Sequence, residues 1–490
     1  MQQINRRDWL RMLGAAGLVP ILPDMAMGMP SSTYRHTDIR VAMAPDNPAI
    51  VFDESKCILC GACRRVCQRV MSITGYYDLK KTGDQPVCVH CGQCSMVCEG
   101  DALTPRPEWQ AIKAAKARGD IIVVSLSPAV RVSVAECFGE PAGSYCEGEV
   151  IAALRALGAD YVLDTATGAD LTIVEEAYEW VQRLQKERNL LPQFTSCCPS
   201  WVKFAETFYP ELLPQLSSVK SPIAIQGAVI KTFFARRMGL DASKIFNVAL
   251  TPCTSKKFEI RRPEFAVSGL RGMDAVVTVR ELADWIRSEE LEYQTLKPSQ
   301  FDSLMGNASG AGVIFGNTGG VAEAILRSAY FYLNQKDPPS DFLRFSELRG
   351  LNMFSNRSMG SPKVASVRLD ATHTVTVLVV QGLANARKLF ACLKDGTIKA
   401  DLVEVMACEG GCIGGGGTPR AKTVPYLTRA MREARIKALY TGDTSRSIRL
   451  AHRNPLVKQL YQDVLGDFGS EAAKTLLHTS YQSREKDLGK

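Results

Sequence analysis

Cysteine spacing constrains this chain more than any other feature. "CILCGACRRVC" places cysteines at 57, 60, 63 and 67, and "CVHCGQCSMVC" places them at 88, 91, 94 and 98. Both runs repeat the same spacing: two, two, then three intervening residues. Three thiolates this close reach three corners of a cube from one loop, and the fourth corner must be supplied from elsewhere. That is the ferredoxin arrangement for a 4Fe-4S cluster, in which the last Cys of each run serves the other cluster. The spacing therefore predicts one cluster on Cys57, Cys60, Cys63 and Cys98, and another on Cys67, Cys88, Cys91 and Cys94. Gln68 and Glu99 stand where Pro usually follows the fourth Cys. Zinc needs only one such four-Cys set, so two repeats argue against it. His90, inside the second run, is expected to face solvent. Two clusters in line make a wire, and a wire implies a redox centre elsewhere in the chain.

Texture changes along the sequence. The block 50–105 has little apolar periodicity and reads as an α+β two-cluster ferredoxin-like domain, held by its metals more than by a core. From Ile121, "IIVVSLSPAV", "YVLDT", "VAL" before Thr251, "VIFGN" and "VTVLVVQG" read as buried strands. "ELADWIRSEEL", "GGVAEAILRSAYFYL" and "LANARKLFACL" have helical periodicity. This alternation predicts an α/β catalytic body over 106–422, two-lobed, with mixed or parallel sheets flanked by helices. Residues 423–490 contain no cysteine and read as a mostly helical tail, and 31–49 as a polar linker. At 490 residues and 46% hydrophobic, the chain can bury a sizeable core. It has no run of apolar residues long enough to span a membrane. The net charge of +8 is dispersed, without a basic stripe interleaved with aromatics, so nucleic acid is not an expected partner.

The first thirty residues read differently. "NRRDWLRM", then "LGAAGLVPIL", then small residues near Ala26 and Gly28 describe an export signal over 1–30. Paired Arg6 and Arg7 resemble the twin-arginine type, which implies the twin-arginine translocase as a partner and a periplasmic location. An ordinary basic amphipathic N-terminus is the alternative.

Five further cysteines occupy conspicuous settings: "TSCCPSW" (Cys197, Cys198), "TPCTSKKFE" (Cys253) and "EVMACEGGCIGGGGTP" (Cys408, Cys412). Adjacent side chains in an extended segment point to opposite sides, so Cys197 and Cys198 are expected to have different jobs. The Gly414–Gly417 run lets backbone approach a cofactor closely. Together these segments resemble the three signature segments of the FeFe hydrogenases, over about residues 50–420.

The resemblance implies an H-cluster: a 4Fe-4S cubane joined by a cysteine sulfur to a two-iron unit bearing carbonyl, cyanide and a bridging dithiolate. Carried over by motif, Cys198, Cys253, Cys408 and Cys412 would hold the cubane, with Cys412 the bridge. Cys197 would remain a free thiol that passes protons, continued by Glu176, Ser217 and Glu179 and ending near Arg183 at the surface. Lys256 would donate to a cyanide, Met406 and Phe315 would wall the iron site, and Ser127 and Pro128 would lie against it. Thr251, Ser127, Ile223 and Glu409 depart from the usual Met, Ala, Gln and Pro, which bears on catalytic bias and turnover more than on cofactor identity. The tail resembles the small subunit of periplasmic enzymes of the family, here fused.

The implied activity is reversible interconversion of H2 with two protons and two electrons. Electrons would pass through the two 4Fe-4S clusters to a carrier such as a periplasmic cytochrome c or a ferredoxin, and dedicated maturation proteins would build the two-iron unit. Two alternatives remain: a slow-turnover H2-sensing relative, and a hydrogenase-like iron–sulfur assembly protein lacking the diiron unit. Cys197, the full glycine-rich segment and Arg6–Arg7 argue against the second. Cys137, Cys146 and Cys392 stand alone and carry no signal beyond packing.

Overall fold

Two four-stranded sheets organise the chain. The computed structural model describes residues 39–350 and 362–489, so the expected export signal, with Arg6 and Arg7, lies outside the described residues. In chain order the strands are β1 (Ile50–Phe52), β2 (Leu103–Pro105), β3 (Ile121–Leu126), β4 (Tyr161–Asp164), β5 (Gln193–Phe194), β6 (Ile245–Thr251), β7 (Ala266–Val267), β8 (Leu270–Arg271), β9 (Ala275–Thr278), β10 (Lys363–Arg368), β11 (Thr374–Gln381) and β12 (Leu402–Met406). β1 and β2 pair antiparallel and join the two ends of the ferredoxin-like block.

The first large sheet has the order β4-β3-β6-β9 and is wholly parallel. Its strands are apolar on both faces: Val123 enters one apolar cluster, while Ile122 and Val124 enter another. That is the reason they read as continuous hydrophobic runs. The second sheet has the order β10-β11-β12-β5, parallel except for the antiparallel pair β10–β11. Val377 and Val379 of β11 share the cluster of Val123, whereas Leu378 and Val380 face a third cluster containing Trp201 and Phe390. One core thus lies between the two sheets, and the mixed, two-sheet α/β expectation holds.

The helix Thr165–Lys186 runs through that core. Asp164 starts it, its carboxylate accepting from the Ala166 amide (2.9 Å) and from buried Arg131 (2.8 Å). Most of its residues as far as Leu184 are buried, as expected for a helix covered on nearly all sides. It packs against the helices Pro222–Val229 and Gly320–Asn334. This helix carries Glu175, Glu176, Glu179 and Arg183.

Two expectations are corrected. "VIFGN" is not a strand: its first two residues end a short helix, Gly310–Ile314, capped by Ser309, whose hydroxyl accepts from the Gly312 amide (3.2 Å). A short apolar run does not by itself distinguish a buried strand from a buried helical turn. Residues 41–49 are not a free linker. Val41 and Ala49 are buried with Cys63 and Leu103, and the Val41 amide donates to Cys63 Sγ (3.4 Å).

The tail is largely helical and lies on the catalytic body. Its helix Arg429–Ser445 packs on Gly310–Ile314 and on the turn Pro128–Val132. Buried ion pairs tie it down: Arg435 to Glu136 (2.6 Å) and Asp443 to Arg327 (2.8 Å). No helix among the described residues is long and apolar enough to cross a membrane.

Candidate active site

Four candidate ligands leave the same ends of parallel strands, where open α/β sheets usually build their sites. Cys198 follows β5 and precedes the helix Pro199–Phe208. Cys253 follows β6, Cys408 follows β12, and Cys412 sits in the turn Gly411–Gly414. They converge. Burial pushes Cys408 well above an ordinary thiol, and the charges of Cys91, Cys253, Cys198 and Cys412 add to that. Cys253 is pushed up to about 12, by burial and then by Cys198. Cys412 is raised by burial and then by Cys253 and Cys198. No cysteine is in a disulfide.

Among the described residues, no group of three or more His, Cys, Asp or Glu could hold one metal ion. Four half-buried thiols whose charges act on one another suit a cluster whose irons occupy separate corners. Bound iron would return them to thiolates, the form that ligates. The residues present therefore fit a cubane.

The accessory cysteines assemble in the crossed pattern. Cys57, Cys60, Cys63 and Cys98 line one cavity, and the charges of Cys98 and Cys60 reinforce the burial that raises Cys63. Burial raises Cys94 well above its ordinary value, followed by the charges of Cys91, Cys88 and Cys67. His90 does not face solvent. It is 5% exposed, stacks on Phe258 (4.7 Å between centroids) and meets Lys203 Nζ through Nε2 (3.0 Å). Burial, then Lys203, lowers its pKa well below the usual histidine value, so the ring is neutral. Phe258 lies five residues beyond Cys253, so the stacking is a tertiary contact that the local cysteine pattern does not encode.

The glycine run packs closely against protein backbone. A Cβ on Gly415 would lie 2.5 Å from Pro252 O, and one on Gly416 2.4 Å from Cys91 O. The run forms a seam against protein backbone, joining the second accessory loop to the four-thiol site. Gln93, which sequence reasoning missed, reinforces the seam by donating to Cys408 Sγ (3.2 Å) and Gly414 O (2.9 Å). Thr254 Oγ1 donates to His90 O (2.7 Å) from the other side.

Cys197 is 9% exposed, and its thiol is raised well above the ordinary value by burial and then by the charge of Glu176. It is held as a neutral S–H. Glu176 is fully buried, and the hydroxyl that approaches its carboxyl is that of Ser217. Burial, then Glu179, raises its pKa well above that of an ordinary carboxyl, which keeps it protonated. Ser217 Oγ donates to Glu179 Oε2 (2.7 Å), and Arg183 donates to Glu179 Oε1 (2.9 Å). Arg183 is not at the surface. It is 5% exposed, with its guanidinium also donating to the carbonyls of Gln215 and Leu216 (3.0 Å each), so it clamps Glu179.

Lys256 is buried and held by protein acceptors. Its ammonium donates to both Glu259 oxygens (2.9 and 2.7 Å) and to Cys197 O (3.2 Å). Met406 and Phe315 are buried beside Cys197 in the same apolar cluster. Ser127 and Pro128 are buried at the end of β3, and Ser127 Oγ has no hydrogen-bond partner. Thr251 is buried at the end of β6. Ile223 packs among Ala249, Ile260, Met273 and Val276. Glu409 points away from the pocket, its side chain 58% exposed and paired with Arg432 of the tail (3.2 Å). Cys146 and Cys392 are buried in apolar clusters, with Cys137 packed at the edge of one.

Glu404 of β12 was also missed. It is fully buried, accepts from the amides of Gly319 (2.6 Å) and Ala322 (2.8 Å), and is raised to about 7 by burial. An acid inside the apolar run "DLVEVMA" was the available signal.

Four thiols that converge on an α/β body, joined to a block with ferredoxin-type cysteine spacing, mark an iron–sulfur protein. The family model for the C-terminal domain of the iron-only hydrogenase large subunit matches residues 120–416, that for the iron hydrogenase small subunit matches 429–484, and that for a 4Fe-4S binding domain matches 50–70. Iron hydrogenase 1 of Clostridium pasteurianum is 39% identical over 89% of this chain and 76% of its own length. The periplasmic [Fe] hydrogenase large subunit of Nitratidesulfovibrio vulgaris is 40% identical over 80% and 90%. An apo [FeFe]-hydrogenase from Chlamydomonas reinhardtii superposes with a TM-score of 0.66 at 34% identity, covering 76% of this chain and 98% of that one. Cytosolic iron–sulfur assembly component 3 of Bos taurus matches at 30% identity. The chain belongs to the iron-only (FeFe) hydrogenase family, with large- and small-subunit regions fused.

Proposed function

We propose that the chain reversibly interconverts H2 with two protons and two electrons. Cys198, Cys253, Cys408 and Cys412 would hold the H-cluster, with Cys412 bridging its two parts, and two 4Fe-4S clusters would occupy the accessory sites. The H-cluster, when bound, supplies the metal centre for H2 chemistry. The observation that supports the reading is a neutral buried thiol, Cys197, whose electrostatic neighbour is the fully buried carboxyl of Glu176, at the edge of a four-thiol site. An assembly factor that only carries clusters has no need of a proton-holding pair there.

The chain's own residues then divide the work. Cys197 holds a proton at Sγ, and Glu176 exchanges it. Ser217 and Glu179 carry it outward by alternately donating and accepting. Arg183 fixes the Glu179 carboxylate, and Lys256 fixes the Cys197 carbonyl. Gln93 and the glycine seam hold the Cys91 loop against the Cys408 loop, which suits electron passage between their clusters. Cys60 is exposed beside Ile58, which is 60% exposed, so the outer cluster would meet the carrier there. That carrier would be a periplasmic cytochrome c or a ferredoxin, the protein reaching the periplasm by the twin-arginine route after maturation.

Infrared spectroscopy of the matured protein tests this reading, with intrinsic carbonyl and cyanide bands expected. Iron analysis should give about fourteen iron atoms per chain, from three four-iron units and two further irons. Eight irons or fewer, with no such bands, would defeat it.

A further inference from the structure

The relay does not stop at Arg183. Residues 217–220 of the relay segment are joined to the tail by backbone pairing. The Lys220 amide donates to Leu477 O (2.8 Å), the Thr479 amide donates to Ser218 O (2.8 Å), and Val219 bridges antiparallel to His478. This pairing places the His478 ring between two groups of the body. Nδ1 lies 2.8 Å from Ser218 Oγ, and Nε2 lies 2.9 Å from Glu175 Oε2. Ser218 Oγ in turn donates to Glu179 Oε1 (2.9 Å). Glu175 is fully buried and fixed from behind by the Tyr461 hydroxyl and the Gly469 amide (3.2 Å). The His478 side chain keeps 12% exposure, so one edge reaches water.

We propose that His478, supplied by the small-subunit-like tail, is the outer proton donor and acceptor of the Glu179 relay, acting through Ser218. The inference rests on the proposed hydrogenase reading. A protonated ring satisfies every contact at once: Nδ1–H donates to Ser218 Oγ, Nε2–H to the Glu175 carboxylate, and Ser218 O–H to the Glu179 carboxylate. For inward transfer, the Nδ1–H bond breaks as a new O–H bond forms on Ser218. The proton previously on Ser218 passes to Glu179. His478 is left neutral, with Nε2–H still on Glu175, and its bare Nδ1 takes the next proton from a water that reaches it when the Ser218 contact opens. Outward transfer reverses each step. The charged or titratable groups around the ring are Glu175 and Glu179 from the long helix, Arg183 against Glu179, Tyr461 behind Glu175, and Lys220 and Lys474 on the two paired segments.

The test uses matured full-length protein carrying His478→Gln, His478→Ala, Ser218→Ala or Ser218→Thr. Iron content should match the parent in all four. Turnover should fall about tenfold in His478→Gln and Ser218→Ala, less than the full general acid–base effect because Glu179 keeps some exposure to water. Ser218→Thr, which keeps a hydroxyl, should restore most of the rate, and added imidazole should rescue His478→Ala. A structural role predicts neither rescue. Parent-like turnover in both His478→Gln and Ser218→Ala overturns the proposal, as does a loss that neither Thr nor imidazole repairs. An independent readout is the NMR spectrum of the His478 ring, one of only five histidines. Its nitrogen shifts should change on Glu175→Gln, and its hydrogen-bond coupling to Ser218 should vanish in Ser218→Ala. A parent without infrared bands or turnover defeats the hydrogenase reading instead. The NMR coupling then decides the His478 link alone, and an uncoupled ring overturns it.

Discussion

Substituting Gly416 by Ala probes the seam between the accessory loop and the four-thiol site. Gly416 is not among the glycines with positive φ, so Ala there carries no backbone penalty, only overlap. Its Cβ would lie 2.4 Å from Cys91 O, 2.6 Å from Gly92 Cα and 2.8 Å from Gly92 C. All three are main-chain atoms that cannot rotate away. Restoring an ordinary contact requires the two loops to part by about 1 Å. That stretches the Ser95 Oγ to Gly416 O bond (3.3 Å) beyond hydrogen-bonding range and strains the bond from Arg280 (2.6 Å). Overpacking of this kind costs about 1–3 kcal/mol, and one lost hydrogen bond about 1 more, so the expected loss is about 2–4 kcal/mol. Gly83→Ala is the control. Gly83 has φ +63° and nothing within 4 Å of the added Cβ, so its cost is the left-handed penalty alone, about 1–2 kcal/mol. Chemical denaturation of the iron-loaded proteins measures both, and the magnetic interaction between reduced clusters reports the separation of the loops. If Gly416→Ala is as stable as the parent with that interaction unchanged, the seam does not exist as described.

Cys198→Ala should disrupt assembly at the four-thiol site, because one corner loses its ligand. Cys197→Ala should keep iron content and infrared bands while turnover falls by about 10²–10⁴, and Cys197→Asp should recover part of it; normal turnover in Cys197→Ala would refute the proton role. Glu404 holds its proton to about pH 7 in the folded chain, against about 4.3 unfolded. Its contribution is therefore complete below about pH 4 and lost as pH rises through 7, worth up to about 3–4 kcal/mol. Glu404→Gln should flatten the fall in stability between about pH 4 and 7, and an unchanged slope would count against the assignment. Replacing Arg6 and Arg7 by Lys should leave active, uncleaved protein in the cytoplasm, as fractionation with activity staining would show.

How much could be read beforehand follows from the range of each interaction. The two four-Cys runs were legible because a cube's corners are met from one loop, and spacing alone encodes that. The helix Gly320–Asn334 and strand β11 were legible because a long amphipathic or apolar period survives tertiary context. "VIFGN" failed because a run of three apolar side chains fits either geometry, and the Ser309 cap that decides it lies outside the run. His90 and Arg183 were misplaced because their partners, Phe258 and the carbonyls of residues 215 and 216, are set by packing that motif spacing does not register. His478 lay hidden for the same reason. Its partners Glu175 and Ser218 sit some 300 and 260 positions earlier in the chain.

The tail's covalent attachment changes the arithmetic of its docking. Arg435, Asp443 and His478 arrive on the same chain as their partners Glu136, Arg327 and Glu175. Association is therefore unimolecular, governed by an effective concentration in about the millimolar range for a short tether, not by the amount of a second polypeptide. Dilution does not strip the tail from the body, and every body receives one. A molecule built this way keeps a fixed one-to-one stoichiometry from synthesis onward, where two separately made subunits would have to find each other by mass action.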